Sequence, residues 1–289
     1  MRSTLRVLGV FAIFLAGCHS TQQPRTDHPL MASGVALRDV TFYSSALRRQ
    51  MPYRVLLPAE VLPGQKLPVV YLLHGGTGNF RDWSNDFDVA RYAKRGLILV
   101  MPEGAFSFYL NSAGKPEDKY EDYVTTDLIG DVESRFPAAK GREHRALMGI
   151  SMGGFGAIKL GLSHPDLFSF IAALGPSIDV PHRWFDILHL GEWENVYTIF
   201  GPYGSKSRQS RDPLVLVESA DPAAAPYFYL TSGDRDALLK PNLRFAAILR
   251  QRHFAYEFHT DPGGHSWSVW NSQLPDCFER LLAHLRSNR

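Results

Sequence analysis

A serine flanked by glycines is the residue whose setting most clearly predicts chemistry in this chain of 289 residues. Ser151 stands in a G-x-S-x-G pattern, directly after an apolar run and before a stretch of small residues. A serine hydroxyl becomes an effective nucleophile only where a base can reach it and where backbone N–H groups face the oxyanion that forms. Glycines at 149 and 153 permit the sharp strand-to-helix turn that presents such a serine. The pattern alone is also compatible with a turn that has no chemistry.

Two candidate acids and a candidate base follow Ser151 along the chain. His265 lies in a glycine-rich loop, and two aspartates, Asp234 and Asp236, lie close together in an earlier loop. Each of these loops follows an apolar segment that predicts a strand. The sequence therefore predicts a Ser-His-Asp triad, with both aspartates open as the acid.

The elements that must position these residues follow from the apolar pattern. Segments 35–42 and 53–57 predict an opening antiparallel pair of strands. Continuous apolar runs then predict buried strands, and helical periodicity separates several of them. We predict an α/β fold with a mostly parallel central sheet and helices on both faces. The predicted strands of the sheet proper are 67–73, 96–101, 145–150, 168–174, 227–231 and 255–260, and the predicted helices are 123–136, 152–163, 239–251 and 272–286.

The start of the helix after Ser151, a long insertion and several aromatic residues are expected to lie near the serine. The backbone N–H of Met152, at the start of the predicted helix, is one expected oxyanion donor. Segment 176–225 lacks strand alternation, and it predicts a cap-like insertion over the site. Candidate residues for a substrate pocket are the aromatic side chains Phe108, Tyr109, Trp184 and Trp267, each of which could equally be core.

Several classes of site are disfavoured by the sequence. The acidic stretch 117–122 lacks metal-ligand spacing and predicts a solvated turn. The chain has neither a zinc-type His/Cys cluster nor a dinucleotide fingerprint, so no metal or organic cofactor is implied. Cys277 lies in an apolar helix pattern and is interpreted as a buried apolar residue. Oligomeric state is not predicted.

The amino terminus predicts export and lipid attachment. Residues 1–17 combine two arginines with an apolar run too short to span a bilayer, which is typical of a signal peptide. The run ends in Leu15-Ala16-Gly17-Cys18, which resembles the lipobox of bacterial lipoproteins and implies an acylated Cys18. Residues 18–34 predict a polar tether, and 35–289 the folded domain. Removal of residues 1–17 reduces the formal charge from +2 to 0, which gives no indication of a nucleic-acid partner. We expect a lipid-anchored protein of the bacterial cell envelope, either on the outer membrane facing the periplasm or on the cell surface.

Six short motifs together resemble the esterase D family of α/β-hydrolases over most of residues 36–286. They are Leu72-Leu73-His74-Gly75-Gly76, Met101-Pro102-Glu103-Gly104, Tyr120-Glu121-Asp122-Tyr123, Gly149-Ile150-Ser151-Met152-Gly153-Gly154, Gly233-Asp234-Arg235-Asp236 and Gly263-Gly264-His265-Ser266-Trp267. The resemblance implies an α/β-hydrolase fold and a serine acyl-enzyme mechanism. The family's G-x-x-D spacing, counted from Gly233, favours Asp236 as the acid. Asp234 is then expected to pair with Arg235 or to cap a helix. It also implies that the Gly76 N–H is the second oxyanion donor and that His74 orients that loop.

The same resemblance sets the expected substrates and the alternatives. We expect a serine carboxylesterase that acts on small acyl or aryl esters, free or carbohydrate-linked. An S-formylglutathione hydrolase-type thioesterase is less favoured, since those relatives usually carry His before the nucleophile where this chain has Ile150. An envelope acyltransferase, in which an alcohol replaces water, stays open. A non-catalytic envelope-binding module is a further alternative, which the complete set of Ser, Asp and His positions disfavours.

Overall fold

The computed structural model describes residues 26–183 and 190–287. Within them, one eight-stranded sheet has the order β1-β2-β4-β3-β5-β6-β7-β8. Strands β1 and β2 pair with each other in antiparallel fashion, β2 also runs antiparallel to β4, and all other neighbours are parallel. The strands are β1 (Val35–Ser44), β2 (Arg49–Pro58), β3 (Val69–Leu73), β4 (Ile98–Pro102), β5 (Arg145–Ile150), β6 (Phe170–Leu174), β7 (Tyr227–Gly233) and β8 (Tyr256–Asp261).

The central strands are apolar throughout because both faces of the sheet are covered. Every residue of β3, β4, β5 and β6 is buried, as expected for parallel strands between two helical layers. Alternate residues of β3 belong to opposite cores: Tyr71 packs in one, and Leu72 in the other. The edge strand β1 instead contains several exposed residues.

Helices lie on both faces of this sheet. One core contains apolar residues of α4, α5, α8 and α9, and the other contains residues of α1, α2 and α10. The described helices are α1 (Asp82–Asp86), α2 (Ala90–Ala93), α3 (Tyr120–Asp122), α4 (Ile129–Arg135), α5 (Met152–Ser163), α6 (Leu190–Phe200), α7 (Lys206–Gln209), α8 (Pro213–Ser219), α9 (Leu239–Gln251) and α10 (Trp267–Ser287), and a π-helical turn (Tyr123–Leu128) joins α3 to α4. None of the helices in the described ranges is long and apolar enough to cross a membrane.

The predicted fold class is confirmed, and most elements lie where the apolar pattern placed them. The expectation of a solvated turn at 117–122 is wrong for its second half. Tyr120 is buried and begins α3, and the Glu121 carboxylate bonds to the buried Lys159 and to His164. A carboxylate with a buried cation as partner can be drawn into a helix–helix contact that its polarity alone does not predict.

The segment before β1 is bound to the domain as far back as Asp27. The Arg54 guanidinium on β2 is only 1% exposed and bonds to the carboxylates of Asp27 and Asp39 and to the Ser84 hydroxyl. The Leu30 N–H donates to the Ser84 carbonyl at 2.8 Å. We call these contacts the N-terminal clamp. They hold the segment before β1 against α1.

Candidate active site

Ser151 occupies a strained turn between β5 and α5. Its φ and ψ angles are 53° and −115°, a conformation that L-residues rarely adopt outside functional sites. The two flanking glycines are required by close backbone approach. A Cβ at Gly149 would lie 2.1 Å from the Gly153 carbonyl oxygen, and one at Gly153 would lie 2.2 Å from that of Leu73. The turn therefore tolerates no side chain at either position.

A chain of hydrogen bonds joins the three residues that the sequence singled out. The His265 Nε2 atom lies 2.8 Å from the Ser151 Oγ atom, and His265 Nδ1 lies 2.8 Å from the Asp236 Oδ2 atom. A carboxylate can only accept a hydrogen bond, so Nδ1 carries the proton and its N–H donates a hydrogen bond to Asp236. Nε2 is then an acceptor for the Ser151 hydroxyl. This tautomer is the one in which the imidazole can take the serine proton.

The two competing aspartates have different surroundings. The Asp236 side chain is fully buried, and its second oxygen accepts the Leu238 N–H at 2.8 Å. Asp234 is half exposed, accepts the Gly263 N–H at 2.8 Å and lies 3.6 Å from Arg235. Asp236 thus contacts the imidazole, whereas Asp234 holds the loop that carries it.

Two residues beside the imidazole were missed by the sequence analysis. The Trp270 ring packs edge-on against His265, with centroids 5.0 Å apart. Gly175 has a φ of 53°, and a Cβ there would lie 3.1 Å from Asp236 Oδ2 and 3.2 Å from His265 Nδ1. The sequence did offer a signal for Gly175: it is a glycine directly after a buried strand, next to the strand that carries the acid.

The two expected oxyanion donors come from the segments on either side of Ser151. Met152 is the first residue of α5, where helix N–H groups have no partner within the helix. Gly76 lines the same cleft as Ser151, in the loop after β3. His74 is fully buried and holds this loop: its Nε2 accepts the Gly104 N–H at 2.8 Å, and its Nδ1 lies 2.7 Å from the Gly75 carbonyl oxygen. These two contacts of His74 hold the loop that carries Gly76 beside the serine turn.

An open cleft of about 350 Å³ exposes Ser151 and His265. Trp267 lines it, and the Trp267 ring packs edge-on against Trp83 and Trp270. Asp82 also lines the cleft, although the sequence did not single it out; it is 5% exposed and packs tightly against Gly78. The cleft is therefore lined both by tryptophans and by the glycine loop after β3.

Other predicted pocket residues lie elsewhere. Phe108 and Tyr109 are buried core residues: Phe108 packs against Phe155 and Phe200, and Tyr109 fills the space beside Gly156. Of the two roles that the sequence left open for them, the structure supports the core and not the pocket, because both are buried and neither lines the cleft at Ser151. Trp184 and Cys18 fall outside the described residues.

The described part of the 176–225 insertion is attached to the loop after β4. The Ala113 and Gly114 N–H groups donate to carbonyls of α6, and the buried Arg208 bonds to the Gly201 and Pro181 carbonyls. Among the described residues, no group of three or more His, Cys, Asp or Glu side chains is placed to hold a metal ion.

An eight-stranded, mostly parallel sheet with a serine on a strained strand-to-helix turn defines an α/β-hydrolase. A family model described as "Putative esterase" matches residues 44–281. The chain belongs to this esterase family.

Individual relatives agree with this assignment. An acetyl esterase of Caldicellulosiruptor saccharolyticus is 28% identical over 263 residues, covering 85% of this chain and 97% of the relative. The solved structure of a ferulic acid esterase is 26% identical with a TM-score of 0.73, covering 87% of this chain and 98% of that one. The fluorophosphonate-binding serine hydrolase F of Staphylococcus aureus shares the fold, with a TM-score of 0.74 and 24% identity over 85% of this chain and 97% of that one.

Proposed function

We propose that this protein is a serine carboxylesterase that hydrolyses small acyl or aryl esters through Ser151, His265 and Asp236. The observation that carries the proposal is the continuous hydrogen-bond chain from Ser151 Oγ through both imidazole nitrogens to the buried Asp236 carboxylate. Membership of an esterase family and the strained serine turn support it.

The first half of the reaction acylates Ser151. Its Oγ attacks the ester carbonyl carbon as His265 Nε2 accepts the hydroxyl proton, and Asp236 stabilises the resulting imidazolium. The carbonyl oxygen becomes an oxyanion, which accepts hydrogen bonds from the Gly76 and Met152 N–H groups. One such donor contributes about 3 kcal/mol to transition-state stability in comparable sites. His265 then protonates the departing alcohol.

The second half regenerates the serine. A water molecule in the open cleft gives a proton to His265 and attacks the acyl-enzyme carbonyl. Collapse of the second tetrahedral intermediate releases the acid, and His265 returns its proton to Ser151 Oγ.

The cleft supports a compact acyl or aryl group as substrate. Trp267 offers an apolar surface, and the small residues of the glycine loop leave room beside Ser151. The relatives named for acetyl and ferulic acid esters fit this range. Carbohydrate-linked esters belong to the same proposal, because the cleft is open to solvent.

The test is hydrolysis of p-nitrophenyl esters from acetyl to decanoyl, and of methyl ferulate, by the chain from residue 19. We expect turnover of short acyl or aryl esters at least about 10-fold above that of decanoate, and a loss of about 10³-fold or more in Ser151→Ala. Ser219→Ala is the matched control, since this exposed hydroxyl bonds only within its own helix. Equal inertness of wild type and Ser151→Ala towards all esters would contradict the proposal and favour a transferase or a binding module.

We also propose that the chain is exported and anchored through an acylated Cys18 in the cell envelope. This rests on the basic start, the short apolar run and the Leu15-Ala16-Gly17-Cys18 sequence. Growth with a clickable fatty acid should label the wild type and leave Cys18→Ala unlabelled and still carrying residues 1–17. Labelling that persists in Cys18→Ala would exclude this anchor.

A further inference from the structure

A second serine lies beside the proposed nucleophile. Ser177 follows β6 by three residues, and its Oγ atom is 3.4 Å from the Ser151 Oγ atom. Its own N–H donates to the Ser151 carbonyl at 3.2 Å. The residue as a whole is only 9% exposed, and its hydroxyl contacts the serine turn. No step proposed so far uses it.

The backbone holds Ser177 rigidly in this place. The Gly175 N–H continues the sheet by donating to the Thr231 carbonyl at 2.8 Å. Pro176 packs against α5, where a Cβ at Gly154 would lie 3.1 Å from the Pro176 Cβ. Ile178, the next residue, is fully buried. Ser177 is therefore tied to the sheet, to α5 and to the turn that carries Ser151.

The direction of the contact follows from the imidazole tautomer. The Ser151 hydroxyl has a single proton, and His265 Nε2 must accept it, because Nδ1 donates to Asp236. The Ser151 Oγ atom is therefore the acceptor in its contact with the Ser177 hydroxyl. We infer that Ser177 is a further catalytic residue, which donates a hydrogen bond to Ser151 Oγ and stabilises the negative charge on that oxygen.

This inference rests on the proposed esterase function and adds a donor at a different atom from the oxyanion hole. During acylation the Ser151 proton passes to His265 Nε2, and the Oγ–carbon bond forms while the Ser177 proton stays on Ser177. During deacylation the same Oγ–carbon bond breaks, and the electron pair returns to Ser151 Oγ as His265 gives that oxygen its proton. Ser177 faces the oxygen that gains charge in both steps, and a hydrogen bond to a charged oxygen is stronger than one to a neutral oxygen.

The expected effect is moderate because the contact is long. Ser177→Ala should slow acylation and deacylation each by about 5- to 30-fold, with KM changing less than about 3-fold. Burst kinetics with p-nitrophenyl acetate separate the two rates. The rate of covalent labelling by an alkyl fluorophosphonate should fall by the same factor as acylation, since this reagent requires only the attack of Ser151.

Two controls separate the effect of losing the hydrogen bond from the effect of losing the volume of the hydroxyl. Ser177→Thr keeps the donor and should retain at least a third of wild-type activity, whereas Ser219→Ala should match wild type. The thermal midpoint of Ser177→Ala should stay within about 2 °C of wild type, which a packing defect would not allow. An equal loss in the Ala and Thr variants, or a loss confined to KM, would overturn the inference.

Its failure is distinguishable from failure of the proposed function. An active wild type whose two rates are unchanged, within about 2-fold, by Ser177→Ala would overturn the role of Ser177 alone. A wild type without any turnover dependent on Ser151 would overturn both.

Discussion

At the scale of single residues, the two aspartates after β7 provide a test in which the same substitution is made two positions apart. Asp236→Asn should lower kcat by about 10³- to 10⁴-fold, because an amide can donate to the imidazole and so favour the wrong tautomer. Asp234→Asn keeps an oxygen to accept the Gly263 N–H and should stay within about 3-fold of wild type. Steady-state hydrolysis of p-nitrophenyl acetate measures both. The reverse order of effects would assign the acid to Asp234.

Gly175 is a residue whose missing side chain matters for the site. Gly175→Ala should lower activity by about 10²-fold, because its Cβ would press on the Asp236–His265 hydrogen bond. The positive φ adds a cost of about 1–2 kcal/mol in the free energy of unfolding. Gly64→Ala is the control, since Gly64 has a φ of 78° with nothing within 4 Å of a Cβ. Urea unfolding should show a comparable strain cost in both, whereas activity should fall only in Gly175→Ala.

At the scale of elements, a buried ion pair joins α3 to α5, the helix that begins at Met152. Lys159 is 4% exposed and bonds to Glu121, which also bonds to His164 at 2.8 Å. Burial raises the pKa of Glu121, but the His164 hydrogen bond and the Lys159 charge outweigh it and lower the pKa from 4.5 to about 2. Burial lowers the pKa of Lys159 despite its partner. The net stabilisation is therefore smaller than the shift of Glu121 implies.

This pair predicts how stability depends on pH. A carboxyl whose pKa is depressed by folding stabilises the protein above its unfolded pKa and loses that contribution as pH falls through 4.5 towards 2. For Glu121 the upper limit is about 3 kcal/mol. The difference in unfolding free energy between wild type and Glu121→Gln should fall by about half between pH 5 and pH 3. Urea titrations measure it, with the exposed Glu117→Gln as control. A difference that grows on acidification would contradict this sign.

Elements marked by a clear apolar pattern were predictable from the sequence, whereas side-chain contacts between elements were not. Strand β5 and helices α5 and α9 have the predicted bounds, because continuous apolar runs and helical spacing specify them. Helix α10 begins five residues before the prediction, and its first turn contains Trp270, which packs beside His265. Ser177 and Trp270 were missed for one reason: their importance comes from neighbours distant in sequence.

At the scale of the whole molecule, the N-terminal clamp joins the first described residues to the rest of the domain. Asp27→Ala should reduce the free energy of unfolding by about 1–2 kcal/mol, because it removes one of the two carboxylates that neutralise the buried Arg54. The remaining Asp39 limits the loss. Thermal or urea unfolding measures it, and the exposed Asp166→Ala is the control. Unchanged stability in Asp27→Ala would indicate that the clamp contributes no net energy.

The position of that clamp has a geometric consequence for the proposed anchor. Asp27 contacts Arg54, which contacts Ser84, two residues after the cleft residue Asp82. Cys18 precedes Asp27 by nine residues, which span at most about 32 Å when fully extended. A domain of this size measures about 45 Å across. With the lipid on Cys18, Asp27 would stay within about 32 Å of the membrane surface, and the catalytic cleft would lie within that distance plus the distance from Asp27 to the cleft. The proposed anchor would therefore keep the cleft near esters attached to the membrane surface, while small dissolved esters would still reach it by diffusion.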